Sequence, residues 1–265
     1  MTLRLFVGPL PLAAPQDGLL LAHLPPGTAL DLPAGAARHA QVRRVQPGDR
    51  LALFDGSGSD WPAEVLAMGR QQVRVRLGAP QPVPTELRSA VTLAVGMPAN
   101  ERMDALVEKA TELGVTAVQP LLCERAVLRL EGERAEKRRA HWQAVAVTAA
   151  EQCGRARVPM VAPVARLPAW LAALPGLPGC PATRLLLSTA PGATPLAQAL
   201  AACPPALTAL SGPEGGLSPA ELQAALQAGF RPVSLGPRVL RADTAPLALL
   251  AWLGLTVDGA RADGA

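Results

Sequence analysis

Gly212-Pro213-Glu214-Gly215-Gly216 sets one carboxylate among three glycines. Glycine lets a backbone take positive φ and approach a ligand closely, so such a loop offers main-chain N–H and C=O groups around a single acid. An apolar run, Ala206 to Leu210, leads in, and Ser218-Pro219-Ala220-Glu221 leads out. That is the pattern of a strand, a turn and a helix, with Ser218 as N-cap, Pro219 at the first helical position and Glu221 at the capping-box spacing. A second glycine loop, Leu235-Gly236-Pro237-Arg238-Val239-Leu240-Arg241-Ala242-Asp243-Thr244-Ala245, runs into an apolar helix, Pro246 to Leu255. A third, Thr189-Ala190-Pro191-Gly192, follows the apolar strand Arg184 to Ser188. Glycine loops at neighbouring strand ends make a backbone-lined slot, which suits a flat base with a small charged tail. Taken alone, the first loop reads equally well as a tight turn with a capped helix behind it.

The chain carries neither G-x-G-x-x-G after a strand nor G-x-x-x-x-G-K-[ST], so the common dinucleotide and triphosphate cradles are excluded. Its 265 residues are 49% hydrophobic and 17% charged, enough to bury a core in two domains or one large one. Aromatic residues make up 3% and tyrosine is absent, which argues against base stacking on aromatic platforms. The net charge of +4 permits a polyanionic partner without requiring one. Lys109 and Lys137 are the only lysines; the other basic residues are arginines, suited to phosphates and base edges. Cys123, Cys153, Cys180 and Cys203 form no C-x-x-C, and His23, His39 and His141 are scattered. The reading is a soluble cytoplasmic protein with ordinary thiols, no metal site and no membrane span.

These loops need a scaffold. Residues 1–78 read as a small β-barrel: a strand Leu3–Val7, a short helix Ala36–Val45 carrying Arg38, His39, Arg43 and Arg44, a strand Arg50–Phe54, and a hairpin of Trp61–Met68 and Gln71–Leu77 around Gly69-Arg70. In Val73-Arg74-Val75-Arg76-Leu77 the period-two alternation puts the arginines on one face, which is solvated or meets RNA. Three prolines in Gly78–Pro84 mark residues 79–90 as a linker. From 91 to 265 strands alternate with helices, the texture of an α/β domain on a mostly parallel sheet. The expected elements are strands Val91–Gly96 and Val115–Leu121, and helices Asn100–Leu113, Glu133–Gln152, Leu167–Leu174 and Thr194–Ala201.

At this point the chain resembles the bacterial small-subunit ribosomal RNA methyltransferase E family, of the SPOUT superfamily. The resemblance rests on four stretches in order. They are Met97–Val115 with Arg102-Met103-Asp104 and Glu108–Gly114, then Thr148–Pro159, then the GPEGG loop, then Leu235–Ala245. His39, Val42-Arg43-Arg44 and Gly48-Asp49 fit as well. It implies an N-terminal PUA-like RNA-binding barrel and a C-terminal methyltransferase domain with a deep trefoil knot, assembled as a homodimer. It also implies methylation by S-adenosylmethionine of N3 of a uridine in 16S rRNA (uridine 1498 in the usual numbering) on the small ribosomal subunit. The sequence departs from the family at Ala99, where a basic residue is usual, at Arg43, at Cys153 and at Ala242-Asp243.

Carried over residue by residue, the cofactor would meet Leu187, Ser188, Leu210, Gly212, Glu214, Gly215, Gly216, Leu235, Gly236, Leu240, Arg241, Thr244 and Ala245. The RNA would meet Arg4, Arg38, His39, Arg43, Arg44, Arg102, Arg125, Gln152, Arg155 and Arg157. Uracil N3 gives up its proton only well above neutral pH, so methyl transfer needs a base or a donor that stabilises the anion. Glu214 or Asp243 is the candidate base, Glu214 being otherwise a brace for its loop. Arg155 and Arg241 are the candidate donors, and the anion-stabilising route is preferred, although Arg241 could instead pair with Asp243 or Glu214. Gly215→Val is expected to fill the slot and abolish cofactor binding. The helix 246–255 is either a dimer face or plain core. Two alternatives stand beside this reading: a non-catalytic rRNA-binding adaptor, and a relative acting on another rRNA or tRNA nucleotide.

Overall fold

A computed structural model of the chain describes residues 2–9, 20–70, 72–99, 101–174 and 181–258. By its contacts the chain divides into two compact units, Met1–Glu86 with Val147–Val158, and Leu87–Ala146 with Pro159–Ala265.

In the first unit the strands are short, alternating and rich in Val and Leu. They are β1 (Leu3–Phe6), β2 (Ala29–Asp31), β3 (Arg50–Phe54), β4 (Ser59–Met68), β5 (Val73–Leu77) and β6 (Gln81–Pro82), with one helix, α1 (Ala34–Val42), after β2. They form a six-stranded sheet in the order β1-β3-β4-β5-β2, with β6 on β4. β1 and β3 are parallel, and the other pairs are antiparallel. The expected alternation in β5 holds: Val73, Val75 and Leu77 are buried, while Arg74 and Arg76 face out beside Asp31 and Glu64. Ala36, Ala37 and Ala40 lay α1 on the core of Leu5, Leu51, Leu53, Trp61 and Val75. The hairpin turns at Gly69, as its spacing suggested, although Gln71 lies outside the described residues.

Two boundaries differ from the sequence reading. The stretch 79–90 is not a bare linker, because Gln81–Pro82 pairs with Ser59 and Asp60 and Val83 packs inward. Residues 147–158 belong with the first unit. Ala150 and Ala156 are buried there with Phe54, alongside Phe6, Val83 and Val158, and the resulting loss of apolar exposure is what holds them.

The second unit alternates strands and helices: β7 (Ala90–Gly96), α2 (Arg102–Glu112), β8 (Ala117–Leu122), α3 (Gly132–Cys153, whose last turns belong to the first unit), β9 (Met160–Val161), β10 (Ala165–Arg166) and α4 (Leu167–Ala173). β11 (Thr183–Leu187), β12 (Thr194–Pro195), α5 (Leu196–Ala199), β13 (Ala206–Ser211), α6 (Pro219–Gln227), β14 (Arg231–Ser234) and α7 (Thr244–Leu253) complete it. The sheet is wholly parallel in the order β10-β8-β7-β13-β11-β14-β12, with β9 on β8. Its central strands are mainly apolar, with Thr92, Thr208 and Ser211 as polar interruptions, as befits parallel strands covered on both faces. The helix expected over 194–201 is shorter: Thr194-Pro195 is drawn onto β14, leaving one turn, Leu196–Ala199. Asn100, expected to open α2, lies outside the described residues. α7 buries Leu249, Leu250 and Leu253 against β7, β13 and α2, so of the two readings of this helix, dimer face or plain core, that face is core.

Candidate functional site

β13 lies between β7 and β11, and β14 lies on the far side of β11. All are parallel, so the loops after β11, β13 and β14 leave from one edge of the sheet, where ligands of open α/β sheets bind. Those loops enclose a cleft of about 590 Å³, lined by Leu187, Ser188, Gly212, Glu214, Gly216, Leu235, Gly236, Leu240, Arg241 and Ala245 among others. That volume suits a cofactor-sized ligand, and leucines alternating with exposed backbone suit a flat heterocycle.

The first loop is a tight turn closed by a hydrogen bond from Gly216 N–H to Pro213 C=O at 2.8 Å, with Gly216 at φ +68°. The capping box is formed: Ser218 Oγ accepts from Glu221 N–H at 3.3 Å, and Glu221 Oε2 accepts from Ser218 N–H at 2.9 Å. Glu221 is buried, and its other oxygen accepts from Glu124 N–H at 2.8 Å, which ties the helix start to the chain after β8. Burial of the Cys123 thiol raises its pKa to about 12, with a smaller push from Glu221.

Glu214 is engaged. Its Oε1 accepts from Ala99 N–H at 2.9 Å and from Arg102 Nη1 at 3.2 Å. The carboxylate therefore ties the glycine loop to the residues that open α2. Ala99, where the family usually has a basic side chain, acts here through its backbone.

Three residues of the expected cofactor set do not line the cleft. Leu210 is fully buried in β13, beneath the loop. Thr244 opens α7, and its N–H donates to Arg241 C=O at 3.0 Å. Gly215 turns the other way: a Cβ there would lie 3.0 Å from Arg125 Cβ and 3.1 Å from Arg125 C=O. Gly215→Val would strike Arg125 rather than fill the slot, which corrects the sequence expectation; the positive φ belongs to Gly216.

The candidate donors separate. Arg241 lines the cleft and is exposed, and no ion pair of its side chain is present among the described residues. It does not pair with Asp243 or Glu214. Arg155 lies in the first unit, 3% exposed, in a forked ion pair with Glu86 through Nε at 3.0 Å and through Nη2. As a donor to substrate, Arg155 is therefore withdrawn.

The expected RNA set separates in the same way. Arg4 donates to Asp60 at 2.7 Å and to Arg155 C=O at 3.1 Å, and lies over the Phe54 ring at 4.9 Å, so it is internal rather than presented. Burial raises the Asp60 pKa, against the lowering by Arg4. His39 Nδ1 meets Glu151 Oε2 at 3.2 Å, and Glu151 also accepts from Phe6 N–H at 2.9 Å. Burial is again the larger effect and holds the Glu151 pKa above its ordinary value. Arg38, Arg43, Arg44, Gln152 and Arg157 are exposed. In the second unit Arg102 holds Glu214, and Arg125 donates to Gly215 C=O at 3.3 Å.

Arg238 and Val239 line the cleft within the predicted loop, whereas sequence reasoning missed Leu186, Ser211, Leu217 and Leu222, which also line it. Val239 is 84% exposed. Among the described residues no group of His, Cys, Asp and Glu could hold a metal ion, and no helix is long and apolar enough to cross a membrane.

Comparison with known proteins gives a consistent picture. Residues 85–254 match the RNA methyltransferase domain family and residues 32–78 the RNA methyltransferase PUA domain. Ribosomal RNA small subunit methyltransferase E of Mycobacterium bovis is 35% identical over 216 residues, 82% of each chain. The protein of that name from Neisseria gonorrhoeae, solved bound to S-adenosylmethionine, superposes with a TM-score of 0.82 at 33% identity, over 96% of this chain and 98% of that one. A methyltransferase of Legionella pneumophila, solved with the same cofactor, gives 0.83 at 29% identity over 96% and 97%.

Proposed function

This chain belongs to the ribosomal RNA small subunit methyltransferase E family, and from that premise we propose that it methylates N3 of a uridine in 16S rRNA with S-adenosylmethionine as donor. The observation that carries the proposal is the cleft where the loops after β11, β13 and β14 meet.

The residues present fit the cofactor. Leu187, Leu235 and Leu240 offer apolar cover for an adenine, and the main chain around Gly212, Gly216 and Gly236 offers donors and acceptors for its edge. Beside Ala242 of the lining, Asp243 Oδ1 is buried without a partner among the described residues, a place where the net positive charge of such a cofactor is favourable. When bound, S-adenosylmethionine supplies a methyl group already activated on a sulfonium, so no metal is needed.

The chain's own part is to hold the uracil and manage its charge. The N3 proton would leave to solvent before transfer, and the uracil anion would then take the methyl group, leaving the donor as a neutral thioether. The negative charge left on N3 and its flanking oxygens is met by the Arg241 guanidinium, which no acid in the described structure occupies. Glu214, already bonded to Ala99 and Arg102, braces the loop. The exposed Arg38, Arg43 and Arg44 of the first unit meet rRNA phosphates. The same reading makes the protein a cytoplasmic homodimer acting on small subunits, with Leu255, 78% exposed just after α7, among the apolar side chains left for an interface. Light scattering tests the dimer.

Deletion of the gene tests the reaction. Small-subunit rRNA from the deletion strain should lack one N3-methyluridine, and the gene supplied in trans should restore it. An unchanged nucleoside profile would sink the proposal.

A further inference from the structure

A second cleft, of about 840 Å³, adjoins the first; Arg102 and Glu214 line both. Its remaining walls are Ala99 and Glu101 before α2, Val127 after β8, and Arg138 of α3. We infer that this second cleft seats the RNA strand next to the methylated nucleotide, with Arg138 on a backbone phosphate. The inference rests on the reaction proposed above and adds a site to it.

The argument starts from how α3 uses its charges. Lys137 pairs with Glu133 at 2.8 Å and Arg139 with Glu136 at 2.8 Å. Arg134 and Arg138 have no ion pair among the described residues. They stand four positions apart, so they share one face of the helix. Three positions beyond Arg138, on the same side, His141 Nε2 is held by Asp104 at 2.7 Å, and the other oxygen of Asp104 accepts from Trp142 Nε1 at 2.9 Å. The pairing pattern thus neutralises one flank of the helix and leaves a cationic row along the other.

The cleft that Arg138 lines has the right company. Val127 is 74% exposed, an apolar surface for a ribose or base face. Glu214 is neutralised by Arg102. Glu101 has no ion pair among the described residues, and it steers a phosphate away from the α2 side and toward Arg138. Because the clefts share the Arg102–Glu214 wall, a strand lying in the second delivers a base to the first without crossing another element. A neutral small ligand would leave Arg138 unused; a nucleic-acid backbone supplies the negative charge that Arg138 and Arg134 lack.

A phosphate contact has a signature that a structural role does not. Each phosphate neutralised contributes about 0.7 to 0.9 to the slope of log K against log salt. The test measures binding of unmodified small ribosomal subunits to the full-length protein over a salt series, with cofactor affinity read separately by calorimetry. Arg138→Ala should weaken subunit binding several-fold and lower the slope by about one contact, and Arg134→Ala/Arg138→Ala by about two. Arg138→Lys should keep the slope. Cofactor affinity should stay within twofold of wild type throughout. An unchanged slope in Arg138→Ala, or an equal loss of cofactor affinity, overturns the inference. If wild-type protein transfers no methyl group yet the slopes change as described, the reaction reading falls and the RNA site stands.

Discussion

Arg102 donates to Glu214 at 3.2 Å, joining the first turn of α2 to the glycine loop after β13. The pair is partly exposed, with side-chain accessibilities of 42% and 27%, so its direct contribution to stability is below about 1 kcal/mol. Its value lies in position. Arg102→Ala and Glu214→Ala should each weaken cofactor binding about tenfold, and the double variant should be little worse than either, because the two act as one brace. If Glu214→Ala instead lost kcat with unchanged cofactor affinity, Glu214 would be the base.

Arg155 and Arg241 were indistinguishable as candidates and now predict opposite behaviour. Arg155→Ala removes a buried guanidinium and leaves Glu86, whose side chain is 27% exposed, without its partner, and should cost about 2 kcal/mol of stability. Its folded fraction should keep wild-type kcat on saturating subunits. Arg241→Ala should fold normally and lose kcat 100-fold or more, on the order seen when an oxyanion donor is removed. Raised pH, which ionises the uracil directly, should return part of that rate. Melting curves and a pH–rate profile separate the two variants; a stable, slow Arg155→Ala enzyme would reverse the assignment.

Much of this was legible in the sequence. The strand, glycine turn and capped helix at Ala206–Gln227 stand where their residues put them, because the capping box and the apolar run are local signals. The alternation of β5 was equally local. What was not legible depends on partners distant in sequence. Nothing near Arg155 announces Glu86, and nothing in the Thr148–Pro159 stretch says that Ala150 and Ala156 pack on Phe54. His39 and Arg4 read as surface cations because their acids, Glu151 and Asp60, lie far along the chain. Gly215 and Gly216 were interchangeable by composition, and the approach of Arg125 to one and the positive φ of the other distinguish them.

The two glycines give a test of their own. Gly216→Ala places a Cβ on a residue at φ +68° and should cost about 1 kcal/mol and weaken cofactor binding. Gly215→Ala, whose Cβ meets Arg125 at 3.0 Å, should displace the Arg125 segment, and the added change Arg125→Gly should relieve part of its effect. Equal rescue of both glycine variants by Arg125→Gly would contradict the geometry.

Glu151 predicts a pH dependence. Burial, its largest influence, raises the pKa from 4.5, against Phe6 N–H and His39. An acid whose pKa is raised on folding contributes stability below its unfolded value, and that contribution is lost as pH rises through the folded pKa. Glu151→Gln lacks this loss. Thermal melts from about pH 4.5 upward should therefore show the variant gaining on wild type as pH increases. A gap that moves the other way would mean that the His39 pairing outweighs burial.

Cys123 should be silent to thiol reagents. With its pKa raised to about 12 and its side chain buried, almost no thiolate exists at neutral pH. Alkylation followed by peptide mass mapping should modify exposed Cys203 and leave Cys123 intact in the folded protein. Labelling of both at equal rates would show that β8 and α6 open more readily than their packing implies.

The central claim is that the cleft between the three strand-end loops brings a methyl donor to N3 of a uridine. Purified protein, S-adenosylmethionine carrying a heavy methyl group and small subunits from a strain lacking the gene test it most directly, with the rRNA digested to nucleosides for mass analysis. The account predicts one heavy methyl per subunit, on N3 of a uridine, abolished by Arg241→Ala and retained per folded molecule by Arg155→Ala. Heavy methyl on a ribose, on another base, or on no nucleoside at all would contradict it.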